Sequence, residues 1–209
     1  MSQSKSAFYS FGRLMLPLMA GSLILATPAQ AQFSVGYKFL EAVKKKDGAE
    51  VEQLLGQPGS TLINTRDATT GQTALHLVTQ RRDTTWMTFL LAKGANVNAR
   101  DVRGLTPLVL ACNLGFDEGV ALLIENKARV DEPTATGETP LIMAVHRRAL
   151  GMMRLLLAAG ADPDRADNSG RSARDYALLE GKDSQLVAEI NANAKARGAR
   201  GKSTYGPAF

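Results

Sequence analysis

Few side chains in this chain have chemistry to offer. There are two histidines, His76 and His146, one cysteine, Cys112, and the acidic pairs Asp117-Glu118, Asp131-Glu132 and Asp162-x-Asp164. Proton transfer near neutral pH is most readily the work of a histidine. A zinc site commonly takes three or four His, Cys or carboxylate ligands. The two histidines stand 70 residues apart and the lone thiol sits inside an apolar run, so their spacing assembles no such set. Asp162 and Asp164 are not followed by the D-x-D-x-D-G pattern of a calcium loop. The segment Gly198-Ala199-Arg200-Gly201-Lys202-Ser203 ends like a phosphate loop, but the first glycine of that motif would fall on Ala196. No G-x-S-x-G and no dinucleotide fingerprint is present. The expectation is a non-enzyme with no catalytic residue, no cofactor and no metal site. Proton transfer or metal binding at His146 is the enzymatic alternative.

The N-terminus has the pattern of a leader. Lys5 and Arg13 precede a short apolar run, Leu14 to Ala26, and Ala29-Gln30-Ala31 supplies a small-x-small cleavage pattern. The run is shorter than the roughly 20 residues that span a bilayer and contains Pro17 and Gly21. A signal peptide at 1–31 is therefore expected, with a mature start at Gln32, a periplasmic or secreted location and no stable membrane anchor after cleavage. No twin-Arg pair precedes the run and no cysteine lies near the cleavage site. Cys112 has no internal disulfide partner, so the folded part must be held by packing alone. In mid-helix it is expected to behave as a small buried hydrophobe.

The formal net charge is +5. Lys5 and Arg13 leave with the leader, and Lys195, Arg197, Arg200 and Lys202 crowd into 193–209; segment 32–192 is left one charge negative. The basic excess thus lies outside the body, so nucleic acid is not expected as a partner. With no apolar pattern, 193–209 reads as a disordered tail. Its attachment to an anionic surface is an alternative functional reading.

An internal repeat accounts for most of the remaining residues. Gly71, Gly104, Gly137 and Gly170 are each 33 apart, and so are Thr73, Thr106, Thr139 and Ser172. Leu75, Leu108 and Leu141 keep the same step, as do Val78, Ala111, Ala144 and Ala177. The clusters Phe89-Leu90-Leu91, Leu122-Leu123-Ile124 and Leu155-Leu156-Leu157 follow it too. Thr or Ser is a helix N-cap, its oxygen accepting an unpaired amide of the first turn. Pro107 and Pro140 then occupy the first helical position, where a missing N–H costs nothing. Gly104 suits a tight turn, and Gly115 ends the first helix. Each unit is predicted to be a turn followed by two antiparallel helices, stable only when stacked.

This period and the segments Thr73-Ala-Leu-His-Leu-Val78, Thr106-Pro-Leu-Val-Leu-Ala111 and Thr139-Pro-Leu-Ile-Met-Ala144 resemble the ankyrin repeat and its T-P-L-H-x-A signature. The resemblance covers about 67–192 and implies an all-α ankyrin-repeat solenoid of about five units. The domain at 32–192 divides into an irregular first unit, 35–66, and repeats at 67–100, 101–133, 134–166 and 167–192. In the first unit, Phe39 to Ala42 reads as a first helix, Lys44 to Glu50 as a turn and Val51 to Leu55 as a second helix. A three-residue insertion is expected around Pro58-Gly59-Ser60. The last unit has Arg174-Asp175 in place of Leu-His, as a solvent-facing cap would. Trp86, the single tryptophan, is expected to pack within the stack.

The resemblance further implies that His76 hydrogen-bonds neighbouring turns, and that the turn tips and the inner, concave face of the first helices bind protein. Carried over by position, the partner-binding surface comprises Arg81 from the second unit and Val102, Arg103, Leu105, Asn113 and Leu114 from the third. Glu138, His146 and Arg147 come from the fourth unit, and Arg171 from the fifth. Val102, Leu105 and Leu114 are apolar where solubility favours polar residues, and arginines are expected to surround them, the layout of an interaction hot spot. The expected partner is a protein offering an apolar segment flanked by acidic residues, bound by a monomer. Replacing Leu105 and Leu114 by Asp is expected to abolish binding with little change in thermal stability.

Overall fold

A computed structural model describes residues 34–57 and 60–202, with the backbone alone over 194–202. The expected leader at 1–31, Pro58, Gly59 and residues 203–209 lie outside the described residues.

Five helical hairpins follow one another. They are α1 (Val35–Lys45) with α2 (Gly48–Leu55), α3 (Ala74–Gln80) with α4 (Thr84–Ala92), and α5 (Pro107–Leu114) with α6 (Asp117–Glu125). Then come α7 (Pro140–His146) with α8 (Leu150–Ala158), and α9 (Ala173–Leu179) with α10 (Gln185–Lys202). The first helices form an inner row, α1 on α3, α3 on α5, α5 on α7 and α7 on α9. The outer row runs α4, α6, α8, α10. The core between the rows is the aligned apolar set: Leu75, Leu108 and Leu141 from the inner helices, Leu90, Leu123 and Leu156 from the outer ones, all buried. Neither helix of a hairpin could bury its stripe alone, which is why the unit is stable only as a member of a stack.

The caps form as their residue types require. Thr106 Oγ1 accepts from Val109 N and Thr139 Oγ1 from Ile142 N, both at 3.3 Å, and each is followed by proline at the first helical position. Between hairpins the chain makes β-turn fingers, closed by Asp101 N to Leu105 O at 2.9 Å and Asp167 N to Arg171 O at 2.9 Å. The four aligned glycines sit in these fingers with φ of 66, 76, 80 and 81°, the left-handed region in which a side chain is strained. At Gly71 space is limiting as well, since an added Cβ would lie 2.9 Å from Val102 N. That amide donates to Thr70 O at 3.0 Å, tying one finger to the next.

Three local expectations are modified. The turn of the first unit is much shorter than Lys44–Glu50: α1 runs to Lys45 and α2 starts at Gly48. Lys46 turns the chain with φ 61°, and Asp47 caps α2 by accepting from Glu50 N at 3.0 Å. The tail read as disordered from 193 begins as helix, because α10 continues to Lys202; Ala, Lys and Arg are strong helix formers and no proline intervenes. Arg174 and Asp175 do more than meet solvent. Asp175 closes a capping box with Ser172, and Arg174 Nε reaches Asp164 Oδ1 at 2.6 Å while its Nη1 reaches Asn191 Oδ1 at 3.0 Å.

Candidate functional site

The finger of the third unit is built on Asp101, whose buried carboxylate accepts from Arg103 N and Leu105 N at 2.9 Å each. This places Val102 at the tip, 67% exposed. Leu105 and Leu114 are half-buried and pack partly against the core. All three belong to the central unit and make up the expected apolar surface. Their partial burial changes the expected test: an Asp at Leu105 or Leu114 would disturb packing, whereas Val102 can be changed without touching the core.

The surrounding arginines do not all face this surface. Arg81 is turned toward the first unit, donating from Nη1 to Val43 O at 2.6 Å and from Nε to Asp83 at 3.2 Å. It also lies over the Trp86 ring, 5.4 Å from its centre. Trp86 itself is half-buried, edge-on to Phe89. Arg103 folds back on its own finger, with Nε and Nη2 both 3.2 Å from Asp101 Oδ2. Arg147 donates to Asn113 O at 3.1 Å, which brings it to the C-terminal end of α5 beside exposed Asn113. Arg171 lies 5.9 Å from the centre of the Tyr176 ring. A long guanidinium side chain at a unit boundary finds whichever carbonyl or carboxylate is nearest, and at Arg81 and Arg103 that acceptor is internal.

Glu138 and His146 come together, with His146 Nδ1 2.9 Å from Glu138 Oε1 and the imidazole edge-on to Tyr176 at 4.4 Å. The Tyr176 hydroxyl donates to Asp167 Oδ2 at 2.8 Å. Hydrogen bonds from Ser169 Oγ and then from Tyr176 hold the Asp167 carboxyl well below the usual carboxylate range. A hydrogen-bonded pair of the fourth unit and a hydrogen-bonded set of the fifth thus meet through the His146–Tyr176 ring contact. Tyr176 was not among the expected site residues, although it stands at the 33-residue spacing that also marks Leu77, Leu110 and Met143. That row runs along the inner helices. Leu110 and Met143 are buried, whereas Leu77 and Tyr176 are half-buried.

Among the described residues, no three His, Cys, Asp or Glu side chains converge as a metal site. Cys112 is fully buried in α5, and burial pushes its thiol up to about 12. No helix among the described residues is long and apolar enough to cross a membrane.

A stack of helical hairpins linked by glycine-bearing β-turn fingers, with His76 bonded to the neighbouring finger, defines the class. The chain belongs to the ankyrin-repeat family. A family model described as ankyrin repeats (3 copies) matches residues 39–134, and one described as ankyrin repeats (many copies) matches 123–177. The mouse B-cell lymphoma 3 protein homolog is 38% identical over 108 residues, which are 49% of this chain and 24% of that protein. The zebrafish neurogenic locus notch homolog protein 1 is 37% identical over 120 residues, 57% of this chain and 5% of that protein. Its human counterpart is 35% identical over the same length and shares. The chain thus spans a quarter or less of the length of these relatives.

Proposed function

We propose that this chain is an exported, non-enzymatic protein-binding module that holds one partner polypeptide along its finger tips and inner helices. The observation that carries the reading is the exposure of apolar side chains on the central unit. Val102 is 67% exposed and Leu105 and Leu114 are half-buried, and nothing in the packing of the stack requires an exposed branched side chain at the finger tip. A solvated apolar cluster at the middle of a repeated surface favours association. The leader-like N-terminus suits a location outside the cytoplasm.

Crosslinking and capture from the exported fraction tests the reading, comparing the native chain with Val102→Asp. Capture of a discrete partner is expected with the native chain and is lost in the variant. If capture is unaffected, this surface is not the binding face. Sequencing the N-terminus of the mature protein should begin at Gln32; an intact leader would overturn cleavage after Ala31.

A further inference from the structure

Corresponding positions of successive units differ in one telling way. Arg82 corresponds to Gly115, Arg148 and Gly181, all with left-handed backbone at φ 56, 62, 53 and 117°. Arg81 corresponds to Leu114, Arg147 and Glu180. Arg148 reaches forward to the next unit and meets the carboxylate of Glu180. Arg82 reaches forward in the same way, but the residue it meets is Leu114, which offers only its backbone carbonyl.

From the opposite side Arg147 reaches back to the preceding carbonyl, Asn113 O, at 3.1 Å. Two arginines from different units therefore converge on consecutive carbonyls at the end of α5, where the helix dipole draws cations. Gly115 makes room for this, since an added Cβ would lie 2.8 Å from Arg147 Nη2. Both arginine residues are exposed. Among the described residues neither is ion-paired with a carboxylate. A guanidinium presents five N–H donors in a fork that matches a carboxylate, and one carbonyl engages only part of it. Like charges gathered without a directly paired carboxylate favour an incoming anion.

We propose that Arg82 and Arg147 form a two-guanidinium clamp over Gly115 that takes one carboxylate of the partner polypeptide, doing for Arg82 what Glu180 does for Arg148. The inference rests on reading this face as the partner-binding surface, and it names what the partner must present. Leu114 joins the two features, its half-exposed side chain among the expected apolar contacts and its carbonyl under Arg82. The partner therefore carries an Asp or Glu beside an apolar anchor, within one or two positions along an extended segment.

Short peptides displayed on phage and selected on the full chain test this, with affinities of the resynthesised peptides read by fluorescence anisotropy. The selected peptides are expected to share an acidic residue next to an apolar one. Binding should fall roughly tenfold or more in Arg82→Gln/Arg147→Gln, and the peptide's own Glu→Gln change should cost as much on the native chain and nothing further on the double variant. Arg148→Gln, whose acceptor is already in place, should leave affinity unchanged. Leu114→Glu should displace acidic peptides by giving Arg82 an internal carboxylate. The peptide-side change requires no altered protein, so the result does not depend on a variant folding. Peptides that are lost on Val102→Asp yet indifferent to both the arginines and their own acidic residue overturn the clamp and leave the binding face standing. Peptides indifferent to Val102→Asp as well overturn both.

Discussion

The imidazole of His76 donates from Nε2 to Leu105 O at 3.0 Å, so a buried side chain of one unit holds the finger of the next. Its other nitrogen, Nδ1, accepts from Thr73 N at 3.2 Å. Both bonds require the neutral ring with its proton on Nε2. Burial holds the His76 pKa below its ordinary value. The unfolded chain binds a proton near the usual value of about 6.5, and the folded chain resists it until lower pH. The stability contributed by neutral His76 is therefore complete above about pH 6.5 and is lost as pH falls toward the depressed folded value. Urea unfolding at descending pH through this window should show falling stability in the native chain. His76→Ala should flatten that slope and cost about 1–3 kcal/mol at neutral pH, because Leu105 O and Thr73 N lose their partner.

Gly115 has φ 62°, and Arg147 Nη2 would stand 2.8 Å from an added Cβ. Gly115→Ala should lower stability by about 1–2 kcal/mol through the left-handed backbone alone. It should also push Arg147 off Asn113 O. Chemical denaturation reads the first effect. The second appears as a change in the arginine side-chain N–H signals by NMR.

Cys112 is inert while α5 is folded, since the thiol is fully buried and pushed up to about 12 by that burial. A thiol-specific chromogenic disulfide should label the native chain only at the rate of local or global opening, and label it at once in denaturant. Fast stoichiometric labelling under native conditions would contradict the packing of the third unit.

Val102 and Leu114 differ in how far they enter the core. Val102→Asp should change stability by no more than about 0.5 kcal/mol, as is usual for an exposed position. Leu114→Asp should cost about 1–3 kcal/mol, because it sets a carboxylate against apolar neighbours. Thermal unfolding of the two variants separates the effects, and equal losses would place Val102 in the core.

Much of the fold is legible in the order of residues because its determinants are local and repeated. Thr106-Pro107 is a helix start wherever it occurs, Gly104 marks a left-handed turn, and a 33-residue step repeats both often enough to identify the unit. The role of His76 is implied by the resemblance of that unit to the ankyrin repeat. Tyr176 was equally available at the spacing of Leu77, Leu110 and Met143, but that row holds apolar residues in the earlier units and reads as core. The first unit deviates because its repeat signals are weak, so the start of α2 depended on Asp47 acting as a cap.

The sequence by itself determined the hairpin units, their caps, their register and the residues that share a core, since each follows from backbone preference and apolar spacing within a few turns of chain. Only the tertiary structure decided where the arginines go. Arg81 turned to Val43, Arg103 to Asp101, and Arg82 and Arg147 to the end of α5, because a long charged side chain is placed by the acceptors that neighbouring units bring within its reach. Those acceptors lie 32 to 38 residues away for Arg81, Arg82 and Arg147 and two residues away for Arg103, and no local preference of the arginine itself distinguishes them.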